Sequence, residues 1–108
     1  MAKRKALSAG QVEEACVLAR MMGDPFRLRA LLLVGEQGPI SVTAICKHLE
    51  TKQPTASYHL GLLKLANLVS TRRNGKQILY RLSDRFTQGI GWTALLRLHQ
   101  TAQGSGAQ

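Results

Sequence analysis

The chain has 108 residues, 44% of them hydrophobic, enough for one domain with a modest core and no stapling disulfide or metal. Its 15 Lys and Arg against 6 Asp and Glu give a formal net charge of +9, which favours a polyanionic partner, nucleic acid or an anionic membrane surface. The longest apolar run, Ala30 to Val34, is far too short to cross a bilayer, and the basic start MAKRKALSAG is followed by no apolar segment of signal-peptide length. Cys16 and Cys46 lie thirty positions apart, which makes neither a secreted disulfide framework nor a CxxC metal knuckle. A cytoplasmic protein without a membrane partner is expected.

Residues 1–7 read as a basic N-terminal arm. From Ser8 to about Met22 the apolar positions Val12, Ala15, Cys16, Ala19 and Met22 recur at helical spacing, with Glu13 and Glu14 near the positive end of the helix dipole. In GDP at 23–25, Asp24 is a cap and Pro25 fits a first helical position, where its missing N–H costs nothing. A second helix follows from Phe26 to about Gly35, with Arg27 and Arg29 on its polar side, and EQGP ends it. After Pro39, Ser41 caps a short third helix that carries Val42, Ile45, Cys46 and Leu49 on one face. The fourth begins near Gln53 or Pro54, because proline is tolerated only in a first turn, and runs to about Asn67. The third and fourth helices together outline a helix-turn-helix.

The period then changes from helical to alternating. LVSTRR and KQILYRL flank Asn74-Gly75, a favoured centre for a type I′ turn because both residues accept positive φ. Ser83 or Asp84 caps a last helix to about Thr101, whose Phe86, Ile90, Trp92, Ala94, Leu95, Leu96 and Leu98 spread over more than one face and imply a partner beyond its own core. The end TAQGSGAQ offers little to dock, so residues 102–108 are expected to form a disordered tail. The expected fold over residues 8–101 is mainly α with a β-hairpin wing, in the order α-α-α-α-β-β-α: a winged helix-turn-helix.

In the fourth helix Ala56, Leu60 and Leu63 share one side and should pack inward, which turns Ser57, Gly61 and Lys64 outward. Gln53, Thr55, Ser57 and Tyr58 then stand at the N-terminal end, the end that enters the major groove in helix-turn-helix docking, where Gln pairs with adenine and hydroxyls serve several bases. A polar helix start serves capping alone just as often. The basic hairpin tip favours the first reading: between Lys47 and Arg85 there are eight basic residues and two acidic ones. Lys52, Lys64, Arg72, Arg73 and Lys76 are assigned to phosphates. His59 is the remaining candidate base reader, weighed against a half-buried structural role.

The stretches GDPFRLRALLLV and SVTAICKHLETKQPTASYHLGLLKLANLVSTRRNGKQILYRLSD resemble the ArsR/SmtB family of bacterial winged-helix repressors, over roughly residues 12 to 98. The resemblance implies a homodimer joined through the first and last helices, a pseudo-palindromic double-stranded DNA operator, and release when a signal is sensed. Many relatives sense metals through thiolates in the third helix. Ser41, Thr43 and Ala44 stand at those positions here. A second family metal site draws on both ends of the last helix. This chain keeps Asp84 but has Phe86, Arg97 and Gln100 at the other positions, with His99 a stray imidazole. Persulfide-sensing relatives place cysteines in the second and last helices. Leu33 occupies the first of these positions and the last helix has no Cys. No metal site and no cofactor are therefore expected, and the inducer is unidentified. Cys16 and Cys46 are the candidates for a thiol switch, weighed against service as small hydrophobes.

Two rival functions fit the charge equally: a sequence-tolerant architectural nucleic-acid binder, and a basic module that contacts an acidic protein. An enzyme is not expected, because the three histidines are isolated and no Ser-His-Asp, Cys-His or Gly-rich phosphate pattern occurs.

Overall fold

Four helix starts in this chain are set by short polar side chains that accept a backbone N–H of the first turn. In the computed structural model, which describes residues 6–106 without the side chains of Ile90 and residues 102–106, Ser8 and Gln11 form a reciprocal capping box at the head of α1 (Ala9–Met22). Asp24 caps α2 (Pro25–Gln37) with Pro25 in the first turn, and Ser41 caps α3 (Val42–Leu49). After a left-handed residue, Glu50 (φ 51°), the chain enters α4 (Gln53–Leu65), which ends at Ala66 with Asn67 again left-handed (φ 63°). Most of the arm expected over 1–7, and residues 107 and 108 of the expected tail, lie outside the described residues.

The sheet holds three strands in the order β1-β3-β2, all antiparallel: β1 (Ile40–Ser41), β2 (Val69–Asn74) and β3 (Gln77–Leu82). β1 was not visible in the sequence; it pairs Ile40 with Tyr80 and Ser41 with Leu79, tying the start of α3 to the wing. The hairpin turn differs from the expected type I′ arrangement. Asn74 pairs with Gln77, so the two-residue loop is Gly75-Lys76, and Gly75 supplies the positive φ (65°) at the first central position, as a type II′ turn requires.

The last helix is also not continuous. Ser83 caps a single turn, α5 (Asp84–Thr87), and after Gln88 and Gly89 the chain starts α6 (Ile90–Gly106), which continues past the expected end at Thr101. The break serves packing. Gly91 meets α1 so closely that a Cβ would stand 2.3 Å from Leu18 Cδ2, while Trp92 turns its ring edge to Phe86 at 5.8 Å between centroids. His99, unassigned in the sequence, reaches Glu36 of α2 at 3.3 Å.

The core joins α2, α3, α4, the sheet and α6. Leu31, Val34, Ile45, Leu60, Leu63 and Leu95 are its fully buried large side chains, each leucine contributing about 1.5–3 kcal/mol by leaving water. α1 is the exception: none of its residues is buried. Of the stripe that periodicity selects, Val12, Ala15, Cys16 and Ala19 are exposed and only Met22 packs on the core, where α1 leans through Leu18 and Met21 as well.

Candidate nucleic-acid interface

The inward side of α4 is as expected: Ala56, Leu60 and Leu63 are fully buried, and Ser57, Gly61 and Lys64 are exposed. Gln53, Thr55, Ser57 and Tyr58 are exposed as well, Tyr58 at 64%. Their role is not capping. Lys52 occupies the N-cap of α4 without a side-chain capping bond, whereas Ser8, Asp24, Ser41 and Ser83 cap α1, α2, α3 and α5. Among the described residues, the side chains of Gln53, Thr55, Ser57 and Tyr58 make no hydrogen bond, so donors, acceptors and the positive end of the helix dipole face solvent together.

His59 departs from its assignment to base readout. Its side chain is 16% exposed and turns back toward α2, stacking at 4.9 Å on the Phe26 ring and setting Nδ1 3.2 Å from Arg27 Nη1 and 3.9 Å from Asp24 Oδ2. The reason is its position, three residues after Ala56 and one before Leu60, on the edge of the packed stripe. The Asp24 carboxyl sits below the usual carboxylate range, first because it accepts the backbone N–H of Arg27; burial opposes this, and the facing side chains of His59 and Arg27 add to the lowering.

The wing carries Arg72, Arg73, Asn74, Gly75, Lys76 and Gln77, all exposed. Register places Arg73 opposite Ile78 and Arg72 opposite Leu79, and successive strand residues alternate faces, so the two arginines project from opposite sides of the hairpin. The basic residues divide into two groups. Arg81 pairs with Asp84 at 3.4 Å, and Arg85 pairs with Glu14 of α1. Lys52, Lys64, Arg72, Arg73 and Lys76 are exposed and have no acidic partner among the described residues. Exposed Arg20, Arg29, Lys47 and Arg97 likewise have no acidic partner among the described residues, but Arg72, Arg73 and Lys76 lie together on the wing and Lys52 lies at the open end of α4.

A helix-turn-helix domain family matches residues 22–72. A helix-turn-helix-type transcriptional regulator of Methanocaldococcus jannaschii is 39% identical over 72 residues, 67% of this chain and 81% of that protein. An arsenical resistance operon repressor of Staphylococcus xylosus is 32% identical over 78 residues, covering 72% of this chain and 74% of the relative. The crystal structure of the transcriptional repressor BigR from Xylella fastidiosa superposes with a TM-score of 0.72 at 29% identity, over 85% of this chain and 89% of that one. The chain belongs to the ArsR/SmtB family of winged helix-turn-helix transcriptional regulators.

Three of the positions compared above with family metal ligands have roles in this fold. Ser41 caps α3, Asp84 pairs with Arg81, and Phe86 is buried at 4% exposure. Among the described residues no three of His, Cys, Asp and Glu gather as a metal site would require. Cys16 is exposed on α1 and Cys46 is half-buried against the core. Among the described residues no helix is long and apolar enough to cross a membrane.

Proposed function

We propose that this regulator is a homodimeric, sequence-specific repressor, acting in the cytoplasm, that reads a pseudo-palindromic operator with the N-terminal end of α4. The observation that carries the reading is the uncapped start of α4: exposed Gln53, Thr55, Ser57 and Tyr58 stand free of internal hydrogen bonds, flanked by cations without acidic partners. Those side chains would contact base edges, while Lys52, Lys64, Arg72, Arg73 and Lys76 would hold phosphates and set the register.

Dimerisation is supported by the side of the molecule away from α4's open end. α1 buries no residue on its own chain, and an apolar groove of about 670 Å³ runs between it and the end of α4, lined by Leu7, Ala15, Leu18, Leu65, Leu68 and Phe86. Leu65 is 82% exposed, and Leu7, Val12 and Leu98 are also open to solvent. So much exposed apolar surface on a small chain fits a second copy seated on α1 and α6. Leu65, on the flank that carries Tyr58, then belongs to that contact rather than to thymine methyls.

Selection of duplexes from a randomised library by the purified protein tests the proposal. The expected product is an enriched sequence with two related half-sites about 10–10.5 bp apart, bound by two chains. No enrichment, or one chain per duplex, would overturn it.

A further inference from the structure

Arg27 joins three elements through one side chain. Its Nε donates to the Met21 carbonyl at 2.9 Å and its Nη2 to the Arg20 carbonyl at 3.0 Å, both in the last turn of α1, where the Arg20 carbonyl also accepts the N–H of Gly23 at the C-cap. Its Nη1 lies 3.2 Å from Nδ1 of His59, thirty-two positions away in α4. A guanidinium has only donors, so Nδ1 is the acceptor and the ring proton belongs on Nε2. The backbone of the same residue donates to Asp24 Oδ2 at 3.0 Å, which fixes the start of α2 and leaves the guanidinium to span the gap between α1 and α4.

We propose that Arg27 is a positioning residue that couples α1 to the DNA-reading end of α4 through His59. The inference rests on the operator-reading role of α4 and names how that role is regulated. His59 follows directly on Ser57 and Tyr58, so the bond that holds its ring sets the rotation of those two side chains about the helix axis. At the other end, Arg27 holds α1, the helix that has no fully buried residue and has the exposed groove along its side. Movement of α1, whether by exchange of the second copy or by occupation of the groove, therefore draws on Arg27 and reaches α4 through one donor and one acceptor. The coupling needs no metal and no thiol.

Three full-length variants separate this role from a general contribution to stability. Arg27→Lys keeps the charge but has a single ammonium that cannot span three acceptors. His59→Leu keeps the packing on Phe26 and removes the acceptor, whereas His59→Asn restores an acceptor near the place of Nδ1. Amide hydrogen exchange without DNA is the first readout. Arg27→Lys and His59→Leu should speed exchange in residues 53–60 about tenfold, leave α3 unchanged, and act no more strongly together than alone, with His59→Asn close to wild type. The second readout is the affinity ratio between the duplex selected by wild type and its scrambled form. The same two variants should lower it about tenfold with an unchanged salt slope.

Exchange that stays at wild-type rates, or that rises in α3 and α4 together, overturns the proposal. An affinity ratio that stays at the wild-type value overturns it as well. Because the exchange measurement uses no DNA, a failure there is distinct from a failure of the operator reading.

Discussion

The N-terminal ends of α2 and α4 start from similar letters and come to opposite arrangements. Both have a proline in the first turn, yet α2 begins with Asp24 accepting the N–H of Arg27, while α4 begins at Lys52 with no side-chain cap. At α2 the polar groups are used up inside the fold, on the carbonyls of α1 and on His59. At α4 they stay exposed. A polar helix start thus serves the fold where its partners are on the same chain. It is available to another molecule where they are not.

The largest effect should come from the closed end. Asp24→Ala removes the cap on the Arg27 N–H and should cost about 1–2 kcal/mol in thermal or denaturant unfolding. The pH dependence follows from the direction of the Asp24 shift. Its pKa is lower in the folded protein than in the unfolded chain, so its stabilisation is present at neutral pH and fades as pH falls through the acidic carboxylate range. Asp24→Asn, which caps without titrating, should lose less on acidification than wild type. Equal loss would assign the acid sensitivity elsewhere.

Closing the open end gives the next largest change, and with opposite signs for fold and function. Lys52→Asn places an acceptor at the N-cap of α4 and should raise stability by about 0.5–1 kcal/mol. It also removes a cation at the proposed phosphate contact, so DNA affinity should fall and the log–log salt slope flatten by about one unit. A variant that gains stability and keeps its affinity would show that the bare start of α4 has no part in binding. The smallest effect belongs to the turn between α3 and α4. Glu50→Gly relieves a left-handed residue but adds freedom to the unfolded chain, so stability should change by less than about 1 kcal/mol. Loss of that carboxylate should slightly tighten binding to any duplex.

What could be read from the sequence were the features set by neighbours within a few residues. Asp24, Ser41 and Ser83 cap where they were expected, and the inward side of α4 follows from Ala56, Leu60 and Leu63 alone. Features that depend on distant parts of the chain were not legible. The turn moved one residue because the pairing of β2 with β3, which β1 also joins, sets the register, and a strand of two residues has no period to detect. The last helix breaks at Gln88 and Gly89, ahead of the close packing of Gly91 on Leu18. His59 stood between a base reader and a half-buried structural residue because its position at the edge of the packed stripe was legible, while its partners, Arg27 and Asp24, lie at the start of another helix. On α1 the helix was legible, but periodicity does not say whether an apolar stripe packs on its own chain, and Val12, Ala15, Cys16 and Ala19 do not.

The most direct test of the central claim compares Ser57→Ala, Tyr58→Ala and Arg73→Ala in fluorescence-anisotropy titrations against the selected operator and its scrambled form, at about 0.15 M salt, where nonspecific binding is weak. The account predicts that Ser57→Ala and Tyr58→Ala lose about 1–3 kcal/mol of preference for the operator while binding scrambled duplex as before. Arg73→Ala should weaken both duplexes alike and flatten the salt slope by about one unit. Equal losses on operator and scrambled DNA for all three variants would contradict the division between a base-reading helix and a phosphate-holding wing.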